Sequence, residues 1–270
     1  MSTWWIVFDA DDAQFNRDIY RMRPDGSSVE RLTTHASLDK EPAPSPDGHT
    51  IAFASKRSGT FQIHLLDVAT KTVTQLTHHA GDAFEPSFSN DGSLVAFRSG
   101  TSLYTIHVDG TNERFVIDSG LDAFNAYFTP RFTADDTELV FDRNNEIDAV
   151  HLDGSGFRYV VNNWTTTIKS PSPSPSGSAV AYETYCGGYE IWATPSQTAT
   201  NPCQGRQITP TDAFHSQGPA WGPGDLIAYE RVGSGNIAKI AIISTEPGST
   251  PCIASSGPYD HRNAAWLAAP

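Results

Sequence analysis

The sequence predicts an all-β protein: a six-bladed β-propeller with four-stranded blades, its ring closed by N-terminal strands B–D pairing with a C-terminal strand A. Three observations predict it. A proline opens a recurring unit at Pro42, Pro86, Pro130, Pro171 and Pro219, with Ala264 in the same place before Trp266, at spacings of 44, 44, 41, 48 and 45 residues. Each unit holds several short stretches of period-two alternation separated by Pro, Gly, Asp and Ser, and a period in the forties built this way is what propeller blades produce. The chain also ends on an isolated first strand and begins on segments that match the other three, so one blade is shared between the termini.

The first complete unit shows the four strands. Strand A is Pro42 to Ser45, ended by Pro46-Asp47-Gly48, and strand B is Thr50 to Ser55. Strand C runs from Phe61 to Asp67, and strand D from Thr72 to Thr77. The second unit repeats this with Glu85-Pro86-Ser87-Phe88-Ser89-Asn90-Asp91-Gly92, then Leu94 to Arg98 and Leu103 to Val108 before Asp109-Gly110. Asp-Gly suits these turns because a tight hairpin needs φ > 0, which Gly adopts without strain and Asp tolerates. The third unit places Asp136 where its neighbours carry Gly, and the fifth, Pro219-Ala220-Trp221-Gly222-Pro223-Gly224, is one turn residue short, so irregular geometry is expected there. The Pro/Ser run from Pro171 to Gly177 looks like a linker in isolation, but Ala179-Val180-Ala181-Tyr182 follows on schedule and makes it a strand A with its turn. In the shared blade, Trp5 to Asp9 match strand B, Asp18 to Met22 strand C and Val29 to Thr33 strand D, while Ala265 to Leu267 supply strand A. Closure of this kind removes the open sheet edges that invite aggregation. All of 1–270 is then one domain.

Composition excludes several classes. With 18 Lys and Arg against 31 Asp and Glu the formal charge is −13, and no run of cations occurs, which disfavours nucleic acid and anionic membranes as partners. No apolar run approaches the roughly 20 residues of a spanning helix. Met1-Ser2-Thr3-Trp4 lacks the basic residues of a signal peptide, so the protein either stays inside or has lost a leader. Cys186, Cys203 and Cys252 allow three single pairings, of which Cys203–Cys252 joins similar points of successive repeats. No nucleophile elbow, phosphate-binding Gly-rich loop or paired-cysteine metal motif is present.

The Pro-x-[Phe/Trp]-Ser-Pro-x-Gly-x-x-[Ile/Val]-Ala-[Phe/Tyr] pattern, with Asp-Gly after strand C and Arg-Leu-Thr in strand D, resembles the TolB-type propeller repeat over essentially the whole chain. The resemblance implies the architecture and says little of function, because such repeats serve as a binding scaffold in TolB, as accessory domains of serine peptidases and tricorn-like proteases, and as polysaccharide lyases. Peptidase relatives need an additional α/β domain for which six blades leave no room. The resemblance leans toward an extracytoplasmic location, periplasmic or secreted.

In a propeller the D–A and B–C loops share one face around the central channel. His35, His78, His79, His215 and His261 fall in the D–A loops, with Trp164, Phe124, Tyr127, Phe214 and Tyr259 as candidate stacking side chains. Asp-Ala-Phe recurs at Asp82, Asp122 and Asp212, which reads first as Asp capping the loop and Phe wedging between blades. The residues just before strand A disagree among units, namely Glu41, Glu85, Thr129, Ser170, Gly218 and Asn263, as expected of a single asymmetric site. With Asp39, the two Glu make one side of the mouth acidic, while His215, His261 and Arg262 furnish the other. The ligand-binding set is therefore Asp39, Glu41, His79, Asp82, Glu85, Tyr127, Trp164, His215, His261 and Arg262. A divalent cation has two candidate donor sets, the imidazoles His79, His215 and His261 or the carboxylates Glu41 and Glu85, the latter suited to calcium with water. His64, His107 and His151, in strand C, are expected at the surface.

The function expected is a binding module, a monomer, that takes a protein segment, glycan or small polar ligand at the channel mouth. The alternative is a metal-dependent lyase or hydrolase acting there on a sugar or polar small molecule. The catalytic residues of that alternative are not legible in the sequence.

Overall fold

A computed structural model describes residues 4–118, 128–162, 166–196, 199–233, 235–255 and 260–269. Six four-stranded antiparallel sheets form the ring. The first blade comprises Asp39–Pro44, Thr50–Ser55, Gln62–Asp67 and Val73–Gln75 as strands A to D. The second is Ala83–Phe88, Leu94–Ser99, Ser102–His107 and Arg114–Asp118, and the third Phe128–Phe132, Glu138–Arg143, Glu146–His151 and Arg158–Val161. The fourth is Ile168–Pro173, Ala179–Tyr185, Tyr189–Pro195 and Arg206–Gln207. The fifth is His215–Trp221, Leu226–Val232, Ala238–Ser244 and Cys252–Ile253. The closing blade takes strand A, His261–Ala268, from the C-terminal end and strands B to D, Trp4–Asp11, Arg17–Met22 and Glu30–Arg31, from the N-terminal end.

Burial follows the alternation. The middle of strand B in each blade is apolar on both faces and buried, as in Ile51-Ala52-Phe53-Ala54 and Val95-Ala96-Phe97, because it packs against both neighbouring blades. The core is accordingly six separate wedges, one between each pair of adjacent blades. Leu267 of the C-terminal strand packs with Val7, Ile51 and Phe53, so the closing blade joins the same packing scheme as the rest.

The blades approach one another closely enough to fix certain glycines. A Cβ on Gly48, whose φ is +76°, would lie 2.2 Å from the Ala268 carbonyl oxygen of the preceding blade. Where the third unit carries Asp136 instead, that residue takes φ +57° and its carboxylate accepts from the amides of Asn90 and Asp91 in the preceding blade. The irregularity expected there is thus a cross-blade staple. In the fifth blade the short turn becomes a single 3-10 turn, Pro223–Asp225, and strand B follows it without disruption.

Strands C and D share a second device. A Thr or Ser hydroxyl at the end of strand D accepts from a strand C amide: Thr33 from Ile19, Thr77 from Ile63, Thr209 from Ile191 and Ser255 from Ile240.

Of the three pairings open to the cysteines the structure forms Cys186–Cys203, and Cys252 is free and exposed. Cys203 sits on a 3-10 turn, Pro202–Gln204, between strands C and D of the fourth blade, and the Tyr182 hydroxyl of strand B donates to Pro202 O at 2.9 Å, while the disulfide ties the turn to Cys186 in the B–C loop. His64 is buried rather than at the surface, its ring beside Phe53 and its Nδ1 3.0 Å from Gln62 O. Position in strand C does not make a residue external, since that strand also faces the inter-blade wedges. His151 is exposed and His107 partly so.

Candidate functional site

The channel mouth is built on a bulge repeated six times. In the first blade Lys40 pairs with Ala54 and Ala43 with Ala52, so that Glu41 and Pro42 together oppose one residue of strand B. The same slip occurs at Glu85, Thr129, Ser170, Gly218 and Asn263. All six of these residues are left-handed, with φ between +42° and +58°. A left-handed residue in a bulge turns its N–H away from the ladder, and the following Pro, or Ala264 in the closing blade, resumes the strand.

Each freed N–H is taken by a carboxylate of the preceding blade. Glu41 N donates to Asp9 at 3.0 Å, Glu85 N to Glu41 at 2.8 Å and Thr129 N to Glu85 at 3.0 Å. Ser170 N donates to Asp142, Gly218 N to Glu183 at 3.0 Å and Asn263 N to Glu230 at 2.9 Å. One carboxylate per blade therefore staples each blade to the next around the whole circle. In four blades the acid stands on strand B, directly after the buried aromatic: Asp9 after Phe8, Asp142 after Phe141, Glu183 after Tyr182 and Glu230 after Tyr229. In the other two that position holds Ala54 or Arg98, and the acid comes from strand A as Glu41 or Glu85.

Cations neutralise part of this ring. Arg17 lies 3.2 Å from Asp9, Lys40 2.8 Å from Glu41, Arg98 3.0 Å from Glu85 and Arg262 3.1 Å from Glu230. Burial dominates the electrostatics even so. Desolvation pushes Asp9 up to about 7 despite Arg17, and Asp142 up to about 6 despite its bond from Thr129 Oγ1. It raises Glu85, Glu183 and Glu230 as well.

Below the ring the channel encloses about 300 Å³. Two residues after each bulge the side chains are small, Ala43, Ser87, Ser172, Ala220 and Ala265, except for Arg131 in the third blade. The floor toward the other face is formed by Pro44, Phe88, Phe132, Pro173, Trp221 and Trp266.

Of the residues singled out from the sequence, Glu41 and Glu85 line the channel, and Arg262 reaches it through Glu230 while also pairing with Asp260 at 2.6 Å. Asp39 does not line it and is buried, accepting from Ser55 Oγ at 2.5 Å and Arg57 Nη2 at 2.7 Å. Asp82 caps strand C of the first blade, accepting from Phe61 N at 2.8 Å, and Asp260 does the same for Ala238 N at 2.7 Å. The Asp-Ala-Phe recurrence is not in register: Asp82 precedes its bulge residue by three positions and Asp212 by six, and Asp212 caps its own loop at Phe214 N and pairs with Arg231.

The histidines are not gathered. His79 Nε2 lies 3.1 Å from Glu113 with its ring edge-on to Phe97 and Tyr104, His215 is exposed beside Tyr189, and His261 is buried on Phe8. Burial, with Lys239 nearby, depresses His261 to about 4. Among the described residues no three His, Cys, Asp or Glu are grouped so as to hold a metal ion. Tyr127 and Trp164, with Asp122, Phe124 and Tyr259, lie outside the described residues.

Four of the six ring carboxylates were missed in the sequence, and so was Arg131. A signal existed for the first group, since the acid after the strand B aromatic is present in the four units whose bulge residue is not Glu.

No family model matches the chain. A 55-residue stretch, 20% of the chain and 13% of the relative, is 42% identical to a TolB homolog of Chlorobium luteolum. Among solved structures, TolB from Acinetobacter baumannii aligns over 97% of this chain and 66% of its own, with a TM-score of 0.81 at 18% identity. A putative TolB from Agrobacterium tumefaciens aligns over 93% of this chain and 89% of its own, with a TM-score of 0.72 at 14% identity. The chain therefore has the TolB-like six-bladed propeller fold, and it spans just under two thirds of the first of these structures.

Proposed function

We propose that the protein is a binding module that receives a segment of a partner protein in the carboxylate-ringed mouth of its channel. The observation that carries this reading is the ring itself: six blades contribute one carboxylate each, held by the backbone of the next blade, and Glu41, Glu85 and Glu230 among them line a cavity of about 300 Å³. Such a site is pre-formed, and a ligand ordering itself there incurs no cost of rearranging the protein. Glu41, Glu85 and Glu230 favour polar or cationic groups at the entrance, while Phe88, Phe132, Trp221 and Trp266 offer apolar contact deeper in. The likeness in fold to TolB, a binding scaffold, supports a protein as the partner. A glycan, or a cation shared between ring and ligand, uses the same polar entrance.

An extracytoplasmic location accords with this reading, because the Cys186–Cys203 disulfide requires an oxidising compartment to persist. No observation among the described residues favours the metal-dependent lyase or hydrolase.

A plugged channel tests the proposal. Ala43→Trp places an indole in the cavity, and Thr70→Trp places one on an outer turn remote from it. Proteins retained from source cells by the wild type and by Thr70→Trp, and lost with Ala43→Trp, are channel ligands; circular dichroism checks the fold of both variants. Equal retention by Ala43→Trp overturns the reading.

A further inference from the structure

Arg131 occupies an unusual place. At the equivalent position the other blades carry Ala43, Ser87, Ser172, Ala220 and Ala265, so the one long side chain of this tier projects into the channel that the five short ones leave open. Its Nη1 donates to the Pro130 carbonyl at 2.9 Å, and no carboxylate among the described residues forms an ion pair with it. Glu85, Asp142 and Glu41 act on it only through space. The other arginines bound to the ring are different, because Arg17, Arg98 and Arg262 each touch a ring carboxylate. A guanidinium carries five N–H donors in a planar fork, so beyond the bond to Pro130 O most of Arg131's donors have no acceptor among the described residues.

The immediate surroundings supply further donors and an apolar floor. Ser87 and Ser172 line the same tier, and Phe88, Phe132 and Trp221 lie beyond it. The ring above carries the acceptors. An anion entering this cavity passes Glu41, Glu85 and Glu230, which disfavours a dianion such as phosphate and favours a monoanion that matches the fork in a bidentate pair.

We infer that Arg131 forms a carboxylate-binding subsite in the channel, taking the terminal or side-chain carboxylate of an inserted peptide, or a small monocarboxylic acid, with any cationic group of the ligand held by the ring above. This rests on the channel being the binding cavity and adds the chemical class that its depth selects.

The test uses the full chain and defined probes. In thermal-shift titrations at constant ionic strength and pH, acetate raises the melting temperature of the wild type and the neutral isostere acetamide does not; Arg131→Gln abolishes the difference and Arg131→Lys retains part of it. Crystals soaked in sodium bromide show an anomalous peak within hydrogen-bonding distance of the Arg131 guanidinium. The peptide Gly-Gly-Gly-Phe as free acid against its C-terminal amide separates the sources: at least tenfold tighter binding of the acid, lost in Arg131→Gln, assigns the site to peptide carboxylates. Acetate binding with no difference between the two peptides assigns it to free small acids. Equal responses to acetate and acetamide with no bromide at Arg131, or an unchanged acetate response in Arg131→Gln, overturn the inference. Should Arg131→Gln fail to fold, the wild-type acetate and acetamide comparison and the bromide map decide it alone. Because these probes need no partner protein, their outcome is independent of the retention experiment.

Discussion

Glu183 offers the sharpest view of what the carboxylate ring does for stability. It is 8% exposed, its Oε2 accepts the Gly218 amide at 3.0 Å, and burial raises its carboxyl above the usual range. Gly218 sits in its bulge with φ +55°, so its N–H has left the strand ladder and depends on the acid of the preceding blade. Glu183→Ala removes that acceptor. A buried donor left unsatisfied costs about 1–3 kcal/mol, and loss of the buried Cγ methylene adds roughly another 1 kcal/mol. Glu183→Gln keeps an acceptor oxygen of the same reach and removes a desolvated charge, and should stay within about 1 kcal/mol of the wild type. For a domain of this size each kcal/mol moves the melting temperature by roughly 2–4 °C, so the alanine variant should melt on the order of 4–16 °C lower and the glutamine variant close to the wild type. Urea unfolding followed by tryptophan fluorescence gives the free energies, and hydrogen exchange at the Gly218 amide reports the bond directly: faster in Ala, little changed in Gln. Equal destabilisation by the two substitutions would refute the staple, because charge rather than the N–H acceptor would then be what matters.

Two further predictions follow from the same geometry. Gly48→Ala and Gly92→Ala both force alanine into φ near +75°, but the new Cβ meets the Ala268 carbonyl at 2.2 Å in the first and only Pro46 Cδ at 3.7 Å in the second. Both should lose about 1 kcal/mol to backbone strain, and Gly48→Ala should lose roughly 1–3 kcal/mol more as the closing blade is pushed from the first; equal losses in urea unfolding would mean the blades do not meet there. Asp142 is raised from 3.8 to about 6 by burial, so the folded state holds its proton more tightly than the unfolded chain does. The stability this group contributes is present below the unfolded value and is lost as pH rises through about 6. Asp142→Asn cannot titrate, and its stability relative to the wild type should climb between pH 4 and 7 by up to about 3 kcal/mol, from roughly 1.4 kcal/mol per pH unit; a pH-independent difference in chemical unfolding would contradict this.

The repeat made the architecture legible because each propeller blade is a local object. Period-two alternation, Asp-Gly turns and the spacing of Pro42, Pro86, Pro130, Pro171 and Pro219 all report on contacts within about 45 residues, and Trp5 to Thr33 with Ala265 to Leu267 announced the shared blade by completing one such unit. The same comparison located the tier that matters, the residues before each Pro, and identified Glu41 and Glu85 there. It placed the acid on one side of the mouth, whereas the carboxylates run all the way round. What decides that is the bulge, which rotates one N–H per blade out of the ladder and so demands an acceptor from a neighbouring blade. The partner of Asn263 is 33 residues away at Glu230, and its side chain reaches Asp9, 254 residues away. Pairings of that kind are absent from any single unit. The choice of Cys186 for Cys203 and the burial of His64 depend on tertiary packing in the same way. The sequence by itself therefore determined how many blades there are and how they close, since those follow from local hydrogen bonding and alternation. Only the tertiary structure decided which charges face one another across the channel and left Arg131 without a contacting counter-charge among the described residues, because desolvation and pairing are set by neighbours that the chain brings together from different blades.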